Sequence, residues 1–109
     1  MNVAAVTLAS LALASSASLA VAAQTTDVDY LRASRCRGLA AGLGADASAI
    51  NAYLKSAAAG RSPAVLNRAD EEFARARRQG RNEEGKARLQ AELSGPCAAY
   101  VAASQANLR

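Results

Sequence analysis

A small all-α antiparallel bundle of four to five short helices, closed by one disulfide after an N-terminal signal peptide, is the fold class this sequence predicts. Three observations carry that expectation. Apolar residues recur at helical spacing between proline and glycine punctuation, with no convincing strand pattern. The chain has one pair of cysteines, Cys36 and Cys97, and no histidine. No charged residue precedes Asp27, so all 13 basic and 9 acidic residues lie from Asp27 onward.

That charge boundary divides the chain into two parts. Residues 1–23 read as a secretory signal peptide: an apolar run from Val3 to Ala14, small residues from Ser15 to Ser18, then Ala20-Val21-Ala22 as an A-x-A site, with cleavage after Ala22 or Ala23. The segment has no Lys or Arg, so the amino terminus alone supplies its positive charge. A retained membrane anchor is the competing reading, but Thr7, Ser10, Ser15, Ser16 and Ser18 dilute the roughly 20 apolar residues a spanning helix requires. A lipoprotein is excluded more firmly, since no cysteine lies near the cleavage site. Residues 24–109 then form a single helical domain, expected in the periplasm or outside the cell. Arginine outnumbers lysine 11 to 2, a usage typical of GC-rich bacterial genomes.

Each helix of that domain has its own signals. Thr26-Asp27-Val28-Asp29 resembles a capping box, with Thr26 as N-cap and Asp29 in place of the usual Glu or Gln, and the helix it opens should reach Gly42 or Gly44. A second helix follows Asp46 or Ser48, carries Ile50, Tyr53, Leu54, Ala57 and Ala58 on one face and ends at Gly60. Ser62-Pro63 pairs an N-cap hydroxyl with a proline at the first helical position. The third helix so begun places Val65, Leu66, Ala69, Phe73 and Ala76 on one stripe. Gly80 and Gly85 flank RNEE, so either the third helix stops near Gln79 and a fourth begins after Asn82, which is the preferred reading, or one long helix carries both glycines at about 1 kcal/mol each relative to alanine. Leu89 and Leu93 face inward, Ser94-Gly95-Pro96 ends that helix, and a short last helix carries Cys97, Tyr100 and Val101 on one face. Short connections favour antiparallel neighbours.

The large apolar residues available for the core are few: Val28, Leu31, Leu39, Leu43, Ile50, Leu54, Val65, Leu66, Phe73, Leu89, Leu93, Val101 and Leu108. A core this thin gives a cross-link unusual weight. In an oxidising compartment two cysteines pair in a single way, and closing the Cys36 to Cys97 loop contributes about 4 kcal/mol in the chain-entropy model. Zinc is disfavoured because structural sites take four Cys or His ligands, and no haem attachment is possible without a C-x-x-C-H motif. No metal and no cofactor is expected. Thiol chemistry remains a third reading, since Cys36 lies between Arg35 and Arg37 and Cys97 follows Pro96 at a helix start, although C-x-x-C is absent.

Net charge is +4. In RADEEFARARRQGRNEEGKAR the signs mix, which fits a solvated helix surface laced with pairs such as Glu71–Arg75 and Glu84–Arg88. Arg75, Arg77, Arg78 and Arg81 are the candidate anion-binding residues within it. Nucleic acid is a poor partner for an exported protein, and no aromatic residue interleaves these arginines for base stacking. Arg32 and Arg35 fall within the apolar arc of the first helix, where each must snorkel, pair with a carboxylate of another helix or bind an anion.

Catalysis has the least support. The carboxylates sit beside arginines that hold them ionised, no nucleophile has a histidine to activate it, and RGLAAGLGA lacks the lysine and spacing of a phosphate loop. The expectation is therefore a non-catalytic exported protein that contacts another envelope protein. The alternative is a surface binder of anionic lipid or polymer through the arginine-rich helix.

Overall fold

The computed structural model describes residues 25–106. The segment read as a signal peptide from the sequence, residues 1–23, and Leu108 lie outside the described residues. Within them the chain forms five helices and no strand: α1 (Asp27–Leu43), α2 (Ser48–Ala57), α3 (Pro63–Arg81), α4 (Lys86–Ser94) and α5 (Ala98–Ala106).

Local chemistry explains where these helices start. The Thr26 hydroxyl accepts the Asp29 N–H at 3.1 Å while the Asp29 carboxylate accepts the Thr26 N–H at 3.3 Å, a complete capping box with an aspartate in the role of the longer Glu. At α2 the Asp46 carboxylate accepts the Ser48 hydroxyl at 2.6 Å and the Ser48 N–H at 2.9 Å. Those two bonds, the hydroxyl first, hold the Asp46 carboxyl below the usual carboxylate range. The Ser62 hydroxyl accepts the Val65 N–H at 3.3 Å, with Pro63 opening α3. Gly44 ends α1 at φ 73°, a left-handed cap that favours glycine.

Consecutive helices reverse direction. Arg61, just past α2, donates to the Asp27 carboxylate at 2.7 Å and to the Thr25 carbonyl, so α2 returns to the start of α1. α3 then runs alongside α1 in the same sense, with Gly38 against Ala76 and Gly42 against Gly80. α4 comes back along α1 until Glu92 reaches Arg35. α5 packs on α2, where the Tyr53 and Tyr100 rings meet at 5.1 Å between centroids.

The core joins Tyr30, Ala33, Cys36 and Leu39 of α1 to Ile50, Leu54 and Ala57 of α2, Ala69 and Ala76 of α3, Leu89 of α4, and Cys97. Helix α1 is the central element, packed by α2, α3 and α4. It therefore buries residues on several sides, and a single apolar stripe describes it poorly. Two expectations change for that reason. Val28 is 54% exposed, because Tyr30 and Leu31 take the inward positions of the first turn. Arg32 lies on the exposed side of α1 and not within a buried arc.

Gly80 requires a further correction. It is buried inside α3, which continues to Arg81, and the interruption falls at Asn82–Gly85, where Gly85 takes φ 77°. A β-carbon at Gly80 would lie 3.0 Å from the Gly42 Cα, and one at Gly38 would lie 2.8 Å from the Ala76 Cβ and collide with the Phe73 carbonyl. Gly80 is helical because the backbones of α1 and α3 touch there, a contact only hydrogen permits.

Candidate functional site

Cys36 projects from the middle of α1, and Cys97 follows the Ser94-Gly95-Pro96 turn between α4 and α5. The two form a disulfide with Cα atoms 5.7 Å apart, within the span an unstrained bridge requires. Both cysteines are buried, so the bond belongs to the core and fixes the last helix to the first. The turn is placed by backbone bonds as well, from the Cys97 N–H to the Glu92 carbonyl at 3.2 Å and from the Gly95 N–H to the Ala91 carbonyl at 2.9 Å.

Beside the disulfide lies a cleft of about 300 Å³. It is lined by Arg32, Cys36, Pro96, Cys97, Tyr100 and an ion pair between Arg35 and Glu92. Arg35 grips Glu92 through two bonds, Nε to Oε2 at 2.9 Å and the second terminal nitrogen to Oε1 at 3.1 Å, while its remaining nitrogen donates to Gln79 Oε1 at 3.0 Å. That is the cross-helix pairing, among the options the sequence left open, in the fork geometry guanidinium favours. Arg32, which also lines the cleft, has no carboxylate within ion-pair distance among the described residues. It sits beside the Tyr100 hydroxyl. Burial, then the negative charge of Asp29 and the neighbouring Tyr53, push the Tyr100 phenol above its ordinary pKa.

The second candidate surface is the outer side of α3. Arg75, Arg77, Arg78 and Arg81 are all exposed there, spread over the last two turns of the helix. Their carboxylate neighbours differ from the expected pairs. Glu72, half-buried, bridges Arg68 and Arg75 at 3.4 Å each, whereas Glu83 approaches Lys86 at 3.8 Å. Arg77, Arg78 and Arg81 have no carboxylate within ion-pair range among the described residues. The fold uses the backbone of this segment, since the Arg77 carbonyl and Gly80 face α1, and leaves the guanidinium groups outside. Arg37 on α1 lies elsewhere, its guanidinium 3.9 Å from the centroid of Phe73.

The disulfide and the α3 arginines were legible as candidates in the sequence. The cleft was not, because it combines residues of α1, α4, the 94–97 turn and α5 that no local pattern links; the nearest signal was the placement of Arg32 and Arg35 one turn apart just before Cys36. No group of three or more His, Cys, Asp or Glu side chains able to hold a metal occurs among the described residues. No described helix is long and apolar enough to cross a membrane. Compared with protein-family models, curated proteins and solved structures, the chain finds no match.

Proposed function

We propose that this chain is an exported, non-catalytic binding module that engages a phosphate-rich surface of the bacterial envelope through Arg75, Arg77, Arg78 and Arg81. One observation carries the reading: Arg77, Arg78 and Arg81 stand exposed on one helix with no carboxylate neutralising them among the described residues. Clustered cations of this kind attract anionic surfaces at about 1 kcal/mol per charge near a lipid headgroup layer, and the attraction is screened by salt.

The apolar side of α3 supports surface contact over insertion. Ala69 and Ala76 are buried in the core and Val65 and Leu66 pack, partly buried, against it, so the apolar side of the helix is turned to the core and not offered to a bilayer. A conventional protein interface is supported less, because such interfaces are built around desolvated apolar and aromatic anchors, and Val28 is the one large hydrophobic residue exposed among those described.

Vesicle sedimentation with anionic and with zwitterionic lipid, alongside retention on immobilised polyphosphate, tests the proposal and separates its two phosphate sources. Binding to either anionic matrix should fall steeply between low and moderate salt and should be lost in the Arg77→Gln, Arg78→Gln, Arg81→Gln triple variant. Recovery of a single protein partner from envelope extract at high salt, unaffected by that variant, would overturn it in favour of a dedicated protein contact.

A further inference from the structure

The outer face of α3 is complementary in charge to a second copy of itself. We infer that it is an interface for that second copy, the two α3 helices packing antiparallel about Ala74. This goes beyond the phosphate-surface reading and does not rest on it, although the two share arginines.

Side chains seven residues apart stay on one side of a helix over two turns. Asn67, Ala74 and Arg81 form one such row along α3, Asp70 and Arg77 a second beside it, and Glu71 and Arg78 a third on the other side. Ala74 is half-buried and the rest are exposed, while Ala69, Ala76 and Gly80 occupy the buried side of the helix. The acidic groups of this face therefore lie in its N-terminal half and the basic groups in its C-terminal half.

Neither half is neutralised within the molecule. Asp70, Glu71, Arg77, Arg78 and Arg81 have no oppositely charged group within ion-pair distance among the described residues. Within each row the acid and the base are about 10 Å apart along the axis, beyond the spacing of three or four residues at which helix side chains pair. Glu72, on the flank, has both Arg68 and Arg75. The helix thus spends its internal pairs at the edge and leaves free charges of both signs, sorted by position, on the outside.

A second copy supplies the missing partners in one orientation. A two-fold axis between antiparallel helices sets each row against the same row of the other copy in reverse order. Ala74 then meets its own counterpart, Asp70 meets Arg77, Glu71 meets Arg78, and the Asn67 carbonyl accepts from Arg81, each contact occurring twice. The small Ala74 side chain lets the axes approach at the centre. A parallel pairing would set Asp70 against Asp70 and Arg77 against Arg77, so charge selects the antiparallel one. The face covers about four turns and has one apolar contact, so the association is weak and sensitive to salt.

Analytical ultracentrifugation of the oxidised protein over a range of concentrations tests the interface. At about 20 mM salt the parent should dimerise with a dissociation constant of about 0.1 to 1 mM, and at about 0.5 M salt it should be monomeric. Asp70→Arg with Glu71→Arg, and Arg77→Glu with Arg78→Glu, should each weaken dimerisation by about tenfold or more, because like charges then face each other. An equimolar mixture of those two variants should associate at least as tightly as the parent, which also shows that both are folded. The exchanged variant Asp70→Arg, Arg77→Asp should pair with itself as the parent does, as the reversed register requires. Arg88→Gln removes an exposed cation of α4 outside this face and should leave dimerisation unchanged. The Asp70→Arg, Glu71→Arg variant keeps every arginine of α3, so it should lose the dimer yet still be retained on polyphosphate; a parent that dimerises without binding polyphosphate would sink the phosphate reading and leave this one standing. A parent that stays monomeric up to about 1 mM at low salt, single-sign variants that dimerise like the parent, a mixture that does not associate, an exchanged variant that stays monomeric, or equal weakening by Arg88→Gln would each overturn the inference.

Discussion

Gly42 and Gly80 meet backbone to backbone where α1 lies along α3: a β-carbon on either would fall 3.0 Å from the Cα of the other. Glycine inside a helix normally costs about 1 kcal/mol relative to alanine, so Gly→Ala at an exposed helical site stabilises. At this contact the sign reverses. Gly80→Ala should destabilise by about 1 to 3 kcal/mol, the cost of overpacking a close contact, and chemical denaturation measures it directly. A rise in stability would mean that the two helices are not held this closely.

Arg35 and Glu92 provide a second test, because their side chains are only 28% and 30% exposed and two bonds join them. Exposed pairs couple by about 0.2 to 1 kcal/mol, and this fork, sheltered and supported by Gln79, should lie at or slightly above the top of that range. A double-mutant cycle with Arg35→Ala and Glu92→Ala isolates the term. Coupling indistinguishable from zero would place the pair among ornamental surface contacts.

Much of this architecture could be read before the structure. Ser62-Pro63 and Thr26-x-x-Asp29 act through bonds between residues three apart, so the sequence spells them out, and both caps form as expected. The cysteine pair was legible by arithmetic alone. Gly80 was misread because a glycine that ends a helix and one that lets a second helix approach look alike in one dimension. Val28 and Arg32 were misplaced for a related reason: projecting α1 onto one buried arc assumes one packing partner, and α1 has three. The cleft depends on the return of α4 along α1, a tertiary fact with no local signature.

Tyr100 makes stability depend on alkaline pH. Its phenol is held above the ordinary value near 10, chiefly by burial, so the native state retains this proton where the unfolded chain has lost it. The associated stability is complete below about pH 10 and disappears as pH rises through the native pKa. Tyr100→Phe should therefore flatten the decline in stability on the alkaline side relative to the parent. Thermal melts between neutral and strongly alkaline pH compare the two slopes, and identical slopes would show that Tyr100 titrates as it does in the unfolded chain.

The disulfide yields the largest expected effect. Its two cysteines are 61 residues apart in sequence, so the bridge removes a large share of the freedom of the unfolded chain between α1 and the turn before α5. Cys36→Ser and Cys97→Ser should each cost about 2 to 5 kcal/mol, the usual range for losing a native bridge from a small domain. Both substitutions remove the same bond, so the double variant should cost little more than either single one. The loss should not be uniform along the chain. α1 and α3 keep their glycine-mediated contact without the bridge, whereas the 94–97 turn and α5 depend on Cys97 and on the tilted ring contact of Tyr100 with Tyr53. Hydrogen exchange on the reduced protein should accordingly rise first in residues 95–104, with the centre of α1 still protected. Additive single-site costs, or exchange that rises equally in α1 and α5, would contradict a bridge whose chief work is to fasten the last helix to the first.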